Sequence, residues 1–177
     1  ALPEIVDEPA WRVEAMQREW TEAVEAWAAW SAGSRSVGTE VGVQVPLGDD
    51  AVIAGRIDRL EEHPEGGVTI VDVKTGATVP SAKDAEENPQ LATYQLALAE
   101  SGTEVAGAKL VYPRKAVASG ASVRVQSART PEQLAQWRQT VLDVAGKLRG
   151  PGALATPGRQ CDHCGVRLAC PAKEGDR

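Results

Sequence analysis

Asp58, Asp72 and Lys74 stand among Ile and Val side chains in GRIDRLEEHPEGGVTIVDVKTG, residues 55–76, where an uncompensated charge is costly to bury. Side chains two apart on a strand share a face, so Asp72 and Lys74 project together while Val71 and Val73 point the other way. A meander would bring Asp58 beside them. Two carboxylates converging at a strand end repel unless a cation joins them, and hard oxygen ligands suit Mg²⁺ or Mn²⁺. A lysine at such a metal offers positive charge to a developing phosphorane or orients the attacking water. The same residues have a purely structural explanation: a same-face ion pair of Asp72 with Lys74, and a strand-edge pair of Asp58 with Arg56 or Arg59.

The elements that must position these groups are marked in the chain. Val41, Val43, Val45 and Leu47 alternate with polar or small residues, the period of a half-buried strand ending at Gly48-Asp49-Asp50. A second strand spans about Val52 to Leu60, the segment 63–67 turns, and Val68 to Lys74 form a third, more apolar strand expected to be central. Asn88 and Pro89 supply a cap and first turn for a helix ending near Ser101-Gly102. Gln90 and Tyr94, spaced i, i+4, share a face at its start, where phosphate is favoured. Strands near Ala108–Tyr112 and Ala121–Gln126 and a helix from Pro131 to about Leu148 complete this part.

Ahead of it, Asp7 or Glu8 with Pro9 can start a helix that runs to about Ala32. Val13, Met16, Trp20, Ala23, Trp27 and Trp30 form its apolar stripe. The stripe reads as packing surface rather than a base-stacking platform. After the last helix, the Gly/Pro-rich GPGALATPG leads to CDHCGVRLAC, which holds all three cysteines, Cys161, Cys164 and Cys170.

The 177 residues allow one domain with a real core. The net charge of −6 is uneven: residues 1–33 carry seven acids and two bases, residues 149–177 carry five bases and three acids. An acidic total argues against a protein that coats nucleic acid nonspecifically, but local charge and bound metal can still admit DNA. No apolar run approaches the ~18 residues of a bilayer span, and no basic-then-apolar leader is seen. A cytoplasmic protein, either whole or a piece of a longer one, is the expectation. An odd, clustered cysteine set then reads as metal ligands rather than disulfides.

GRIDR, then IVDVKTG, then Q-x-x-x-Y in QLATY, then C-x-x-C with a cysteine six positions later, resemble the RecB-type branch of the PD-(D/E)xK nucleases. The likeness runs from about Gly38 to Cys170. That branch includes nuclease modules of bacterial helicase–nucleases that process double-strand breaks, and CRISPR-adaptation nucleases. The resemblance implies an α/β, restriction-endonuclease-like mixed sheet with flanking helices. It implies that Asp58, Asp72 and the carbonyl of Val73 bind Mg²⁺ or Mn²⁺, and that Lys74 is the catalytic lysine. Gln90 and Tyr94 would position the DNA strand. Glu40, just ahead of the first strand, matches a weaker acidic position; metal binding and a solvated strand end are equally open for it.

For the cysteines, the resemblance implies a 4Fe–4S cluster whose fourth cysteine lies upstream of the core. This chain has no such cysteine, nor the early-helix histidine of most members; His63 and His163 are its two histidines. His163 could instead complete a zinc site with the three thiols, and three reduced cysteines in a tail remain the structural alternative. The expected organisation is an N-terminal helix over 1–36, a nuclease core over 37–150 and a cysteine-containing tail over 151–177. The expected activity is hydrolysis of single-stranded or unwound DNA delivered by a helicase motor in bacterial double-strand-break repair. The rivals are a degenerate nuclease fold guiding DNA, which the joint presence of Asp58, Asp72 and Lys74 disfavours, and a phosphohydrolase of small substrates, for which no nucleotide pocket is marked.

Overall fold

A computed structural model describes residues 9–49, 51–76, 78–149, 155–170 and 172. Chain order is α1 (Ala10–Ser31), β1 (Ser36–Leu47), β2 (Ala51–Glu62), β3 (Val68–Val73), α2 (Ala82–Glu86), α3 (Pro89–Glu100), β4 (Val105–Val117), β5 (Gly120–Ser127) and α4 (Pro131–Leu148). The strands form one sheet in the order β1-β2-β3-β4-β5. β1–β2, β2–β3 and β4–β5 are antiparallel, as a meander and a hairpin require, whereas β3–β4 is parallel. A parallel neighbour needs a crossover, and α2 with α3 supplies it.

β3 is the middle strand, and its period of two sorts the layers. Val71, with Val111 and Ala121, packs beneath Trp27 and Trp30 of α1 on one face. Ile70, Leu110 and Tyr112 face Leu91, Leu96 and Ala97 of α3 on the other, with Leu134, Trp137 and Val141 of α4 partly covering this larger core. Close approach on the α1 side depends on Gly120, whose φ is +107° and where a Cβ would lie 2.8 Å from the Ala26 carbonyl oxygen.

Several boundaries differ from expectation. The strands are longer, because β1 and β2 stay paired from Leu47↔Ala51 to Ser36↔Glu61. Glu40 therefore lies inside β1, not ahead of it. α2 was not expected; at five residues it is too short to show a period, although Ser81 and Asp84 form a capping box at its start. α1 begins after Pro9 with no side-chain cap, and the expected starters Asp7 and Glu8 lie outside the described residues, as do residues 150–154 of the Gly/Pro stretch. The apolar stripe of α1 is only partly covered: Trp20 is 43% exposed and Met16 37%.

Two buried polar clusters fix the helices on the sheet. Gln126 turns its amide toward the carbonyls of Ala85, Glu86 and Asn88, and accepts from Gln95 at 2.9 Å, which fastens the start of α3 to β5. On the α1 face, Glu61 is 1% exposed. Arg59 at 3.0 Å, Ser34 at 2.6 Å and Lys109 at 3.5 Å compensate it. Arg59 and Lys109 also lie over the rings of Trp27 and Trp30.

Candidate active site

The ladder between β2 and β3 ends at Arg59↔Val71. One step further Asp58 and Asp72 would be direct partners, and like charges set opposite each other destabilise a sheet. The strands part there instead. The Lys74 N–H donates to the Val111 carbonyl of β4 at 2.8 Å, so the alternation of strand donors turns the Val73 N–H toward β2. Asp58 Oδ2 accepts that N–H at 2.7 Å, and its carboxylate thereby spans the opening between the strands. The strand-edge pairing considered for Asp58 does not form: Arg59 goes to Glu61 and Arg56 to Glu40.

Asp72 is 3% exposed. Gln90 Nε2 donates to its Oδ1 at 2.7 Å, and Lys74 Nζ, 2.7 Å from Oδ2, also donates to Gln90 Oε1 at 2.8 Å. The same-face ion pair thus exists, closed into a ring by a glutamine from α3. Asn88 makes this possible by capping α3 through the Leu91 N–H, with Pro89 in the first turn. Tyr94, one turn on, lies 3.3 Å from Gln90 Nε2 and donates to the Arg56 carbonyl at 2.7 Å. Its ring lies against Gly55, where a Cβ would stand 3.3 Å from Tyr94 Cε1. The glycine of GRIDR therefore leaves room for the tyrosine of QLATY.

Burial pushes the Asp72 carboxyl above its ordinary value of 3.8; the Lys74 hydrogen bond and charge oppose this, and the Asp58 charge adds to it. Lys74 Nζ, 2.7 Å away, is the cation beside the solvent-inaccessible Oδ2, so a metal ion at this carboxylate would share it with, or take over from, the ammonium. Two carboxylates and a strand-end backbone form an all-oxygen donor set of the kind hard cations take.

The raised carboxyl has a signed consequence in the metal-free protein. Between 3.8 and its folded value the native state binds more protons than the unfolded chain, so the Asp72 contribution to stability falls as pH rises through that window. Thermal unfolding in EDTA should show this extra acid-side stability in the native protein and not in Asp72→Asn. Identical pH slopes for the two proteins would contradict it.

Five of the expected site residues therefore converge: Asp58, Asp72, Lys74, Gln90 and Tyr94. Glu40 does not join them. It has φ +50°, the one positive φ of a non-glycine among the described residues, and pairs with Arg56 at 3.4 Å at an exposed rim. Tyr112, which was not expected, is 6% exposed, and its hydroxyl titrates above the ordinary value through burial, with Lys74 and Asp72 close enough to act on it. The spacing of Leu110 and Tyr112 on an inward face was its sequence signal.

Cys161, Cys164 and Cys170 are free thiols on two short 3-10 turns, Arg159–His163 and Arg167–Ala169 with their flanks. The Cys164 N–H reaches the Cys161 carbonyl at 3.4 Å and the Cys161 sulfur accepts from the Gly158 N–H at 3.4 Å. Among the described residues no three His, Cys, Asp or Glu side chains are grouped to hold a metal ion, so neither the thiols nor His163 form a preassembled centre.

A family model described as the PD-(D/E)XK nuclease superfamily matches residues 1–171. The solved structure titled "Crystal structure of SSO0001" is similar with a TM-score of 0.49 and 16% identity, over 93% of this chain and 72% of that one. No curated protein matches.

Proposed function

Because the chain belongs to the PD-(D/E)XK nuclease superfamily, we propose that it is a RecB-type, metal-dependent deoxyribonuclease, the nuclease module of a bacterial helicase–nuclease that processes DNA double-strand breaks. The observation that carries this is the ring of Asp72, Lys74 and Gln90 beside Asp58 where β2 and β3 part. It fits single-stranded or unwound DNA handed over by a motor on the same polypeptide or a partner subunit.

Asp58, Asp72 and the Val73 carbonyl would hold Mg²⁺ or Mn²⁺. When bound, the ion supplies Lewis-acid stabilisation of the phosphodiester and lowers the pKa of the water that attacks it. Lys74 is 34% exposed on its side chain, enough to meet a phosphate oxygen once Asp72 is otherwise neutralised. Its role is to hold positive charge where negative charge develops. Gln90 fixes the directions of both Asp72 and Lys74, and Tyr94 braces Gln90 against β2. Glu40 would join the ligands only by releasing Arg56. The cysteine spacing supports a 4Fe–4S cluster in the tail, with zinc as the other occupant for three thiols and His163.

Cleavage of a labelled single-stranded oligonucleotide in Mg²⁺ or Mn²⁺, abolished by EDTA, tests the activity; a well-folded parent protein that leaves the strand intact in both metals would return the fold to a DNA-guiding module. Gln90→Ala should lower kcat on the order of 10-fold to 10²-fold, since it frees both reacting groups from their set directions. Tyr94→Phe should act mainly on KM and leave calorimetric Mn²⁺ affinity unchanged. A collapse of Mn²⁺ binding in Tyr94→Phe would assign that residue to the metal rather than to the strand.

A further inference from the structure

On the sheet face opposite Asp72, at the same strand end, an apolar cavity of about 220 Å³ opens between α1 and the ends of β3 and β4. Trp20, Val24, Trp27, Val73, Thr75 and Arg114 contribute to its lining. Val73 and Thr75 flank Lys74 in the chain, so the cavity and the phosphate-facing side are two sides of one strand end.

The cavity has an uncovered aromatic wall. Trp27 and Trp30 pack on each other with ring centroids 5.2 Å apart, whereas Trp20 is 43% exposed and Val24 63%. The Arg114 guanidinium lies 5.6 Å from the Trp20 ring centroid. It is held there by Glu19, to which it donates from Nε at 2.8 Å, and by the Thr75 carbonyl at 2.9 Å. A part-exposed indole with a fixed planar cation beside it favours a flat heteroaromatic ring, which can stack on either.

Charge selects further. α1 carries Glu14, Glu19, Glu22 and Glu25 against Arg12 and Arg18, so phosphate is disfavoured on this side and favoured at Lys74. A nucleotide is a ligand whose two halves match: an anionic phosphate for one side of the strand end and an uncharged base for the other. We propose that this cavity seats the base of a nucleotide adjoining the phosphate to be cut, the substrate strand folding over the end of β3. This rests on the nuclease function proposed for Asp72 and Lys74.

The test uses the full chain and short single-stranded oligonucleotides carrying 5-iodouracil at successive positions, bound in Ca²⁺ to hold turnover back and photocrosslinked. Trp20→Ala and Val24→Glu are then assayed for cleavage in Mn²⁺; Val24 is a surface position, so its variant guards against loss of the fold. One oligonucleotide position should crosslink to Trp20. Both variants should raise KM on the order of 10-fold with little change in kcat, and the effect should vanish on a strand abasic at that position. Cleavage by both variants at the native KM would overturn the base seat while leaving the nuclease function standing, and would hand the cavity to a protein partner. A Trp20 crosslink in a protein that never cleaves would sink the nuclease function and overturn the seat as one beside a phosphate to be cut, leaving the cavity a base site of a non-cleaving DNA-guiding module. No binding of the oligonucleotides at all would overturn both.

Discussion

Asp72→Asn and Lys74→Ala are each expected to lower Mg²⁺- or Mn²⁺-dependent cleavage of single-stranded DNA by on the order of 10²-fold or more, with the circular dichroism spectrum unchanged. The two losses have different causes and separate in a second measurement. Asp72→Asn removes the buried anion, so stabilisation of the protein by Mn²⁺ should largely disappear. Lys74→Ala leaves that anion with Gln90 as its remaining direct partner at a site 3% exposed. The metal-free variant should melt lower, because a buried charge stripped of its partner is strongly destabilising, and Mn²⁺ should restore more stability to it than to the native protein. Undiminished cleavage by a folded Lys74→Ala protein would remove the lysine from the chemistry and leave it as a structural counter-ion.

Much of this site was legible because a strand's period of two needs no tertiary information. The spacing of Asp72 and Lys74 fixed their common face, and Asn88-Pro89 fixed where α3 starts and hence the shared face of Gln90 and Tyr94. The alternation could not show which contacts cross between elements. That Gln90 closes the Asp72–Lys74 pair into a ring depends on the crossover from β3 to β4 and on how Gln126 fastens α3, contacts 31 to 41 residues apart in sequence. Likewise Arg56, Arg59 and Lys109 were all available cations, and they pair with Glu40 and Glu61, leaving Asp58 to a backbone donor.

Glu40 shows the limit in a single residue. Its sequence neighbours read as the lead-in to a strand, yet pairing with β2 continues past it, with Thr39↔Arg59 and Val41↔Ile57 on either side. A non-glycine residue at φ +50° in the midst of a paired strand is strained, and such strain collects at functional positions. By register Glu40 falls opposite Asp58, while its carboxylate is held outward by Arg56. A backbone irregularity of this kind leaves no mark in hydrophobic period, because the polar residues around it are exposed on either face.

The tail makes the remaining large effect. Cys161, Cys164 and Cys170 sit on successive tight turns, two of them partly shielded and Cys164 exposed, and thiols this accessible are open to metal and to oxidation alike. In the cluster proposed for this tail, three thiolates leave one iron of the cubane without a protein sulfur, and oxidation at that iron starts the breakdown of the whole cluster. The 177-residue chain handled in air is therefore expected to hold little or no iron. The same protein purified without oxygen should carry about four irons per chain and the broad visible absorption of an iron–sulfur centre. Cys164→Ser should abolish both the absorption and the iron without lowering the melting temperature of the sheet, since neither core includes a described residue of the tail. Stoichiometric zinc without iron would replace the cluster by a zinc site that includes His163, and neither metal would leave the cysteines as reduced thiols.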